Sequence, residues 1–456
     1  MKKEVILIFD IGKTNKKLLL FDMTFRVLHQ EETRFDEVTD DDGFACDDGD
    51  RLERWIDDSL QVYLEHPAYD VMSINFTTYG ATLVYVNDEG KRITPIYNYL
   101  KPMPGGVLEG FYERYGGIDE FSRRTASPAM GMLNSGLQAL WLKRKKPETF
   151  RKVSHIMHLP QYLSYRLTGF VSSEHTSIGC HTALWDFDRM RYHPWVGEES
   201  VHLPEPIDVS STFPVKIGGK TIRAGIGIHD SSASLAPYIM NSREPFILLS
   251  TGTWCISMNP FNHTPLTAEQ LKQDCLCYMS VSMKPVKSSR VFLGHIHDVN
   301  VKVLADYFKV GEDDYKKVKP DPDLLQRLTE QHHGQSMFFP EGVPESYLNR
   351  GIDLKKFASF GEAYHQLMMD LTKLVITAIE LIIPENDSTG CIYITGGFAR
   401  NEIFTRLLAS AFTKKRVFTS EVDNATSLGA AMVVAGERPK GTAFSFDLGL
   451  KPVVPF

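Results

Sequence analysis

The sequence lacks long basic runs, long apolar runs and paired cysteines, and each absence narrows what the chain can do. Its net charge is −7 without a long Lys/Arg run, which argues against a nucleic acid or an anionic membrane as partner. No segment approaches the ~18 continuous apolar residues of a membrane span. The apolar stretch from Val5 meets Asp10 too soon for a signal peptide. The six cysteines form no Cys-x-x-Cys pair, so we expect buried free thiols in a cytoplasmic protein.

Length and composition predict two folded domains. At 456 residues the chain exceeds what one hydrophobic core holds, and its 43% hydrophobic and 23% charged content is ordinary for a globular protein. Apolar strands alternate with helical stretches, which is typical of an α/β fold. A strand–turn–strand pattern around Gly12 recurs around Gly252, an offset of 240 residues. We therefore predict two related domains, residues 1–242 and 243–456, each opening with a hairpin whose turn faces the other.

Two glycine-centred turns have the composition of phosphate-binding loops. Asp10-Ile11-Gly12-Lys13-Thr14 ends the first strand, and Ser250-Thr251-Gly252-Thr253 ends the strand that opens the second half. Glycine admits positive φ and has no Cβ, so backbone N–H groups can point at a phosphate. Asp10, at the end of its strand, is placed to hold a hydrated Mg²⁺, and Lys16 or Lys17 to add positive charge. Each turn taken alone is also an ordinary hairpin.

Two further small-residue segments fit a nucleotide. Thr395-Gly396-Gly397-Phe398-Ala399-Arg400-Asn401 lies between a buried strand and a predicted helix. Paired glycines let adenine or its ribose approach the backbone, and a helix N-terminus favours negative charge. Residues 426–431 either pack behind a nucleotide or make a tight contact between helices.

Asp230 ends the segment Gly225-Ile226-Gly227-Ile228-His229-Asp230, between a predicted strand and a predicted helix. An Asp followed by Ser at such a place is a common helix N-cap. A carboxylate there also fits a general base that takes a proton from a hydroxyl group. His229 either hydrogen-bonds a ligand hydroxyl or is a satisfied structural histidine. These residues alone leave both alternatives open.

The order of these motifs resembles the FGGY carbohydrate kinases, of the sugar kinase, actin and heat-shock ATPase superfamily, over essentially the whole chain. The turns at Gly12 and Gly252 look like the two phosphate motifs, Gly396-Gly397 like the adenosine motif, and His229-Asp230 like the catalytic segment. Within the family, the motifs are similar to those of rhamnulokinases and fuculokinases. Tyr162-Leu163 and Leu167-Thr168-Gly169 resemble the family's signature stretch, and Thr78-Tyr79-Gly80 and Glu174-His175-Thr176 resemble rhamnulokinase segments.

The resemblance implies two ribonuclease H-like α/β domains with a cleft between them, ATP and Mg²⁺, and a small sugar as the acceptor. It implies that Asp230 is the catalytic base for a primary hydroxyl, the one on C1 first, and that Asp10 holds Mg²⁺ through water. The sugar contacts would be Gly80, Thr82, Tyr99, His229 and Asp230. The nucleotide contacts would be Gly12, Lys13, Thr14, Lys17, Thr251, Gly252, Thr253, Gly396, Gly397 and Asn401. The resemblance also implies a homodimer, and no other feature of the sequence bears on it.

The sugar half departs from the family pattern, which leaves the acceptor open. Thr77 stands where an acidic residue is expected, Asn98-Tyr99 where Arg-Asp is expected, and Gln161 where Asp is expected. A 6-deoxy-ketohexose such as L-rhamnulose or L-fuculose comes first, followed by a ketopentose of the xylulose or ribulose type, or another polyol. A non-catalytic sugar-binding regulator and an ATPase that needs no sugar are the other classes. Four aromatic residues are either contacts for a deoxy sugar's methyl group or core residues: Phe76, Tyr79, Tyr97 and Tyr99.

Two other patterns imitate metal sites. The Asp-rich segment 36–50 lacks the ligand spacing and the terminal Glu of an EF-hand, so we expect a solvated loop. His155 with His158, and His295 with His297 and Asp298, have the spacing of metal ligands. No further ligands accompany them, and we do not expect either group to bind a metal.

Overall fold

The computed structural model describes residues 2–435 and 446–456 and contains two seven-stranded mixed sheets. The strands of the first half are β1 (Lys3–Ile11), β2 (Lys16–Asp22), β3 (Val27–Thr33), β4 (Val38–Thr39), β5 (Ala45–Cys46), β6 (Tyr69–Thr78), β7 (Leu83–Val86), β8 (His155–His158), β9 (Ser173–Glu174), β10 (Trp185–Asp186), β11 (Arg191–Tyr192), β12 (Pro206–Ile207), β13 (Thr212–Ile217), β14 (Lys220–Gly225) and β15 (Ile228–His229). Its helices are α1 (Gly49–Glu65), α2 (Phe111–Arg114), α3 (Ile118–Thr125), α4 (Ser135–Lys145), α5 (Pro147–Phe150), α6 (Leu159–Thr168), α7 (His175–Ile178), α8 (Pro194–Glu198) and α9 (Asp230–Asn241).

The second half follows the same alternation. Its strands are β16 (Phe246–Thr251), β17 (Cys255–Asn259), β18 (Cys275–Met279), β19 (Pro285–Val291), β20 (Cys391–Gly396), β21 (Arg416–Thr419) and β22 (Lys451–Pro452). Its helices are α10 (Ala268–Lys272), α11 (Leu293–Phe308), α12 (Pro322–Gln331), α13 (Phe360–Glu380), α14 (Glu402–Ala411) and α15 (Ala425–Val434).

Both sheets open with an antiparallel hairpin that lies beside parallel strands. The first has the order β13-β14-β6-β1-β2-β3, with β15 also on β6, and β1 is antiparallel to β2 but parallel to β6. The second has the order β18-β19-β17-β16-β20-β21-β22, and β16 is antiparallel to β17 but parallel to β20. This confirms the predicted α/β fold with a hairpin at the start of each half. The domain limit between residues 242 and 243 stays a prediction.

Helix α1 shows how local sequence sets one element. The Asp48 side chain accepts a hydrogen bond from the Arg51 N–H and caps the N-terminus. Leu52, Ile56 and Leu60 recur every fourth residue and are buried. This apolar stripe packs into the same core as Leu7 and Phe9 of β1, so the helix covers one face of the first sheet.

Helices α9 and α15 lie between the two sheets. One buried cluster includes Ile6 of the first sheet, Leu248 of the second, Ala233 of α9 and Leu428 of α15. The helices approach closely because Gly429 has no side chain, and a Cβ there would lie 1.9 Å from the Ala233 carbonyl oxygen. Residues 426–431 therefore make the tight helix contact, one of their two predicted roles. Although α15 belongs to the second half of the chain, it packs against β1 and β6 of the first sheet.

The prediction of a solvated loop over residues 36–50 is only partly right, because most of these residues are exposed but others form strands or are buried. Strands β4 and β5 pair within it, and Asp40 is buried against Lys101, with 2.7 Å between Oδ2 and Nζ. Lys101 also binds Asp42, and Lys146 binds Asp41 and Asp42. Lysines distant in sequence thus neutralise the acidic segment and hold it against the first half, which its local composition does not reveal.

The remaining expectations concern cysteine, metal and membrane. All six cysteines are buried free thiols, as predicted. Among the described residues, only Asp40, Asp41 and Asp42 bring three possible ligand atoms together, and they pair with lysines, so the two histidine groups form no such cluster. Within residues 2–435 and 446–456, no helix has both the length and the apolar content to cross a bilayer.

Candidate functional site

The ends of neighbouring strands bring Asp10 and Asp230 to one edge of the first sheet. Asp10 of β1 pairs with Thr77 of β6, and Thr77 also pairs with Ile228 of β15. Because the three strands run parallel, Asp230, two residues beyond Ile228, lies at the same edge as Asp10. It is the first residue of α9, as predicted, where the positive end of the helix dipole favours a negative charge.

The Asp230 carboxyl is surrounded by protein but opens to the cleft, and its side chain remains 35% exposed. Loss of surrounding water raises the pKa of Asp230 to about 6, although the Ser231 N–H donates to Oδ1 at 2.6 Å. His229 Nε2 lies 3.3 Å from the same oxygen. Among the described residues these contacts all reach Oδ1, which leaves Oδ2 available to accept a proton.

Asp10 is electrostatically coupled to Asp230. Burial raises the pKa of Asp10 to about 6, and the negative charge of Asp230 adds to the shift. The Ser427 hydroxyl opposes it by donating to Oδ2 at 2.5 Å, as does the positive charge of Lys17. The structure therefore brings the predicted metal-binding carboxyl near the predicted base.

The first phosphate turn is tight, and its lysines point in different directions. The Gly12 N–H donates to the Asn15 carbonyl oxygen at 2.9 Å, while Thr14 is exposed. Lys13 Nζ lies 2.7 Å from Asp47 and 3.1 Å from Glu37, so acidic neighbours already balance its charge. Lys17 instead donates to the Asn424 side chain at 3.4 Å and lies close enough to lower the pKa of Asp10.

The second phosphate turn and the Gly-Gly turn border a cavity of about 560 Å³. Four predicted nucleotide contacts line it: Gly252, Thr253, Gly397 and Asn401. A Cβ on Gly397 would meet nothing within 4 Å, so its backbone is open to the cavity. The volume suits a nucleoside, because ligand pockets are usually ~300–1,000 Å³.

Three of the predicted nucleotide contacts have structural partners: Thr251, Gly396 and Asn401. The Thr251 hydroxyl donates to the Thr395 carbonyl oxygen at 2.5 Å and accepts from the Phe398 N–H at 3.0 Å, which ties the two turns together. Gly396 has a φ of +87°, and a Cβ there would lie 1.9 Å from the Thr251 carbonyl oxygen. Asn401 caps α14 through the Phe404 N–H and donates to the Tyr364 hydroxyl at 2.8 Å.

The predicted sugar contacts gather around His229. A Cβ on Gly80 would lie 2.6 Å from His229 Nε2, so the imidazole requires glycine there. The Thr82 hydroxyl and His229 Nδ1 are buried without a hydrogen-bond partner among the described residues. Burial lowers the pKa of His229 to about 4, so the ring is neutral at pH 7. Both atoms therefore lie inside the protein without a partner from the described residues, and their contact with a sugar stays a prediction.

The aromatic residues divide into core and site. Phe76 stacks on Phe9 with 5.4 Å between centroids, and Tyr97 packs against Trp141 at 4.8 Å, so both belong to the core. Tyr99 is only partly buried. Burial raises its pKa against the charge of Lys13, and the carboxylates of Asp47 and Asp230 add to the shift, which places Tyr99 beside the base.

Two departures from the family pattern, Asn98 and Gln161, take part in hydrogen bonds. Asn98 Nδ2 donates to Glu37 at 3.2 Å. Gln161 Nε2 lies 3.3 Å from the Ile226 carbonyl oxygen and 3.2 Å from that of Gly227, which supports the segment before Asp230. Thr77 is buried, and its hydroxyl has no partner in the described part of the chain.

Sequence reasoning missed several residues at the site. His297, Asp298 and Tyr315 line the cavity, Ser427 binds Asp10, and Asn75 contacts the segment before Asp230. The His297-Asp298 pair attracted notice only as possible metal ligands. Asn75 carried a usable signal, because an amide within an apolar strand must find partners in the interior.

Comparison with known proteins agrees with this geometry. Residues 5–205 match the N-terminal domain of the FGGY family of carbohydrate kinases, and residues 243–442 match the family's C-terminal domain. Rhamnulokinase of Halalkalibacterium halodurans is 22% identical over 454 residues, which cover 92% of this chain and 91% of that protein.

Solved structures show the same fold. A carbohydrate kinase from Novosphingobium aromaticivorans gives a TM-score of 0.81 at 25% identity and covers 100% of this chain and 95% of its own. A xylulose kinase from Lactobacillus acidophilus gives 0.75 at 16% identity, covering 99% and 94%. The chain therefore belongs to the FGGY family of carbohydrate kinases, enzymes that use ATP and a divalent metal to phosphorylate sugars.

Proposed function

We propose that this kinase transfers the γ-phosphoryl group of ATP to the C1 hydroxyl of a ketose, with Mg²⁺ as its metal and Asp230 as its base. The acceptor we propose is a 6-deoxy-ketohexose such as L-rhamnulose or L-fuculose. The proposal for the base rests on one observation, a cleft carboxyl with a pKa of about 6 beside a second carboxyl. The acceptor class is supported by the similarity to a rhamnulokinase along 92% of this chain.

Asp230 suits the transfer of a proton from a hydroxyl group. With a pKa of about 6, the carboxyl is largely ionised at pH 7.5 and can accept the proton as the hydroxyl oxygen attacks phosphorus. Its N–H contact from Ser231 fixes Oδ1 and leaves Oδ2 to receive the proton. Because phosphoryl transfer has a loose transition state, orientation of the hydroxyl contributes more than strong basicity.

The residues around Asp10 fit a magnesium ion. Hydrogen bonding from Ser427 occupies Oδ2, while no hydrogen bond from the described residues reaches Oδ1. Mg²⁺ prefers one or two carboxylates together with water and phosphate oxygens. When bound, the ion would neutralise charge on the phosphates, and Asp10 would hold it through water. Lys17 supplies a second positive charge at this edge.

The cavity and the glycine turns would hold the nucleotide. Gly397 offers open backbone to adenosine. The N–H groups of Gly12 and Gly252 already donate to the Asn15 and Trp254 carbonyl oxygens, so the phosphates would meet other N–H groups of these two turns. For Thr251, Gly396 and Asn401, we propose that they shape the turns, because their side chains or backbone are already engaged. Lys13 would reach a phosphate only by leaving Asp47 and Glu37.

The sugar would bind between Gly80, Thr82, Tyr99 and His229. The free Thr82 hydroxyl and His229 Nδ1 would hydrogen-bond to sugar hydroxyls. Phe76, Tyr79 and Tyr97 are buried in the core, so the aromatic contact for a 6-methyl group falls to Tyr99.

The test measures ADP release from ATP and Mg²⁺ in the presence of 6-deoxy-ketohexoses, ketopentoses, ketohexoses or polyols. It compares the unaltered protein with Asp230→Asn and Asp70→Asn. For Asp230→Asn we expect a rate lower by about 10² to 10⁴, because the general base is lost. Asp70→Asn is the matched control, since Asp70 lies at the other end of β6 and pairs with Lys220 on the surface.

Each alternative gives a different result in that assay. A folded Asp230→Asn protein with unchanged turnover would remove Asp230 from the mechanism. ADP release without sugar would indicate an ATPase, and a preference for xylulose or ribulose would replace the acceptor class. Bound ATP with no turnover on any sugar would indicate a sugar-binding regulator.

A further inference from the structure

Asn75 is a fully buried amide in the middle of β6, and its hydrogen bonds join separate parts of the site. Its Oδ1 accepts from the Gly227 N–H at 3.1 Å and from the Phe76 N–H at 2.9 Å. Its Nδ2 donates to the Ala430 carbonyl oxygen of α15 at 3.0 Å. One side chain thus links the segment that ends in Asp230 to a helix from the second half of the chain.

The backbone before Asp230 packs directly on this amide. A Cβ on Gly225 would lie 2.5 Å from Asn75 Oδ1. Gly227 has a φ of +84°, and a Cβ there would lie 2.5 Å from the Pro160 carbonyl oxygen. The segment is therefore held between β6 and α6, and its glycines make that close approach possible.

The other end of the link leads to Asp10. Ser427, three residues before Ala430 and therefore on the same side of α15, donates to Asp10 Oδ2 at 2.5 Å. The helix has little freedom to shift, because Gly429 packs against the Ala233 carbonyl oxygen of α9. Asn75 and Ser427 thus connect α15 to both carboxyl-bearing segments.

We infer that Asn75 is a positioning residue that fixes the separation of the Asp230 and Asp10 carboxyls by tying the segment before Asp230 to α15. This inference rests on the proposed roles of the two carboxyls. The amide supplies both an acceptor for the Gly227 N–H and a donor for the Ala430 carbonyl oxygen. Leucine has a similar shape but would leave the Gly227 N–H buried without its partner.

The test compares Asn75→Ala and Asn75→Leu with Ser73→Ala. Ser73 is the matched control because it is buried on the same strand two residues away, and its hydroxyl contacts Arg223 rather than the site. For both Asn75 variants we expect kcat to fall ~10- to 100-fold, as for a misplaced reactive group, with a much smaller change in the KM of the sugar. The acid limb of the kcat/KM pH profile, which reports the ionisation of the base, is recorded for all three variants.

A second readout does not depend on activity. Hydrogen exchange followed by mass spectrometry should become faster in the peptide over residues 225–230 of the Asn75 variants, and remain unchanged in Ser73→Ala. If Asn75→Ala does not fold, Asn75→Leu provides the test, because leucine keeps the side-chain volume and removes only the amide hydrogen bonds. A folded Asn75 variant with the kcat, pH profile and exchange of Ser73→Ala would overturn the inference. If Asp230→Asn retains turnover, the proposed base is wrong. Hydrogen exchange would still test whether Asn75 holds the segment before Asp230 to α15.

Discussion

At the scale of single residues, the site combines two carboxyls that burial makes less acidic. Asp10 and Asp230 each have a pKa of about 6, and the charge of Asp230 contributes to the shift at Asp10. Coupled groups lose their protons in two steps that belong to the pair. Serine hydroxyls and the Lys17 ammonium limit the shift, so both carboxyls are largely ionised near neutral pH.

This electrostatic arrangement predicts the pH dependence of the kinase. Because the base must be ionised to accept a proton, kcat/KM should fall as the pH drops below about 6. Initial rates between pH 4.5 and 8.5, on protein shown to remain folded, provide the measurement. A flat profile down to pH 4.5 would contradict the assignment.

Sequence patterns predicted the residues of the turns but not their partners. Glycines and acidic residues at strand ends identify Gly12, Gly252 and Asp230, because strand ends and the turns that follow them are local features of the sequence. The partners of Asp10 and Asn75 lie 417 and 355 residues away along the chain, and no local pattern records a contact over that distance. Local patterns also cannot tell an Asn401 that caps a helix from one that binds a ligand.

At the scale of elements, the contact between α9 and α15 depends on the absence of one side chain. In Gly429→Ala, the new Cβ would have to push the two helices apart, at a cost of about 1–3 kcal/mol. Gly361→Ala in α13 is the matched control, since the nearest atom to its Cβ would be 3.8 Å away. Thermal unfolding of both variants measures the difference. Equal stabilities would show that α15 does not pack as closely as described.

The acidic segment before α1 makes a second prediction for an element. Lys101→Met removes the buried partner of Asp40 and should destabilise the protein by about 3–5 kcal/mol. Adding Asp40→Asn should restore much of that loss, because no unpaired charge then remains in the interior. Lys146→Met, which removes a more exposed lysine from the same segment, should cost no more than about 1 kcal/mol. Urea unfolding of the unaltered protein and the three variants gives their free energies of unfolding. Similar losses of stability in Lys101→Met and Lys146→Met would contradict the prediction.

At the scale of the whole molecule, the two halves complete each other. A helix from the second half packs on the first sheet, and one buried cluster includes residues of both sheets. The order of elements along the chain predicted two sheets, since each strand pattern is local. It did not predict that α15 packs on the first sheet, because α15 is apolar all round and its sequence does not indicate which sheet it covers.

Because α15 packs on the first sheet, we predict that residues 1–242 and 243–456 do not fold as separate proteins. Each fragment alone would expose the surface that α9 and α15 cover, so we expect aggregation or loss of tertiary structure. Joint production of the two fragments should restore a soluble complex that releases ADP in the presence of sugar. Near-UV circular dichroism of each fragment and of the mixture is the measurement. A first fragment with native-like spectra on its own would contradict the prediction.

The hydrogen bond between Ser427 and Asp10 also has a consequence for protein synthesis. Ser427 is made 417 residues after Asp10. At about 5–20 residues per second, the ribosome needs roughly 20–80 s to cover that interval. Throughout that time the nascent first sheet lacks α15, so Asp10 has no hydrogen bond from Ser427. This contact between the two halves of the chain can form only after α15 has been made.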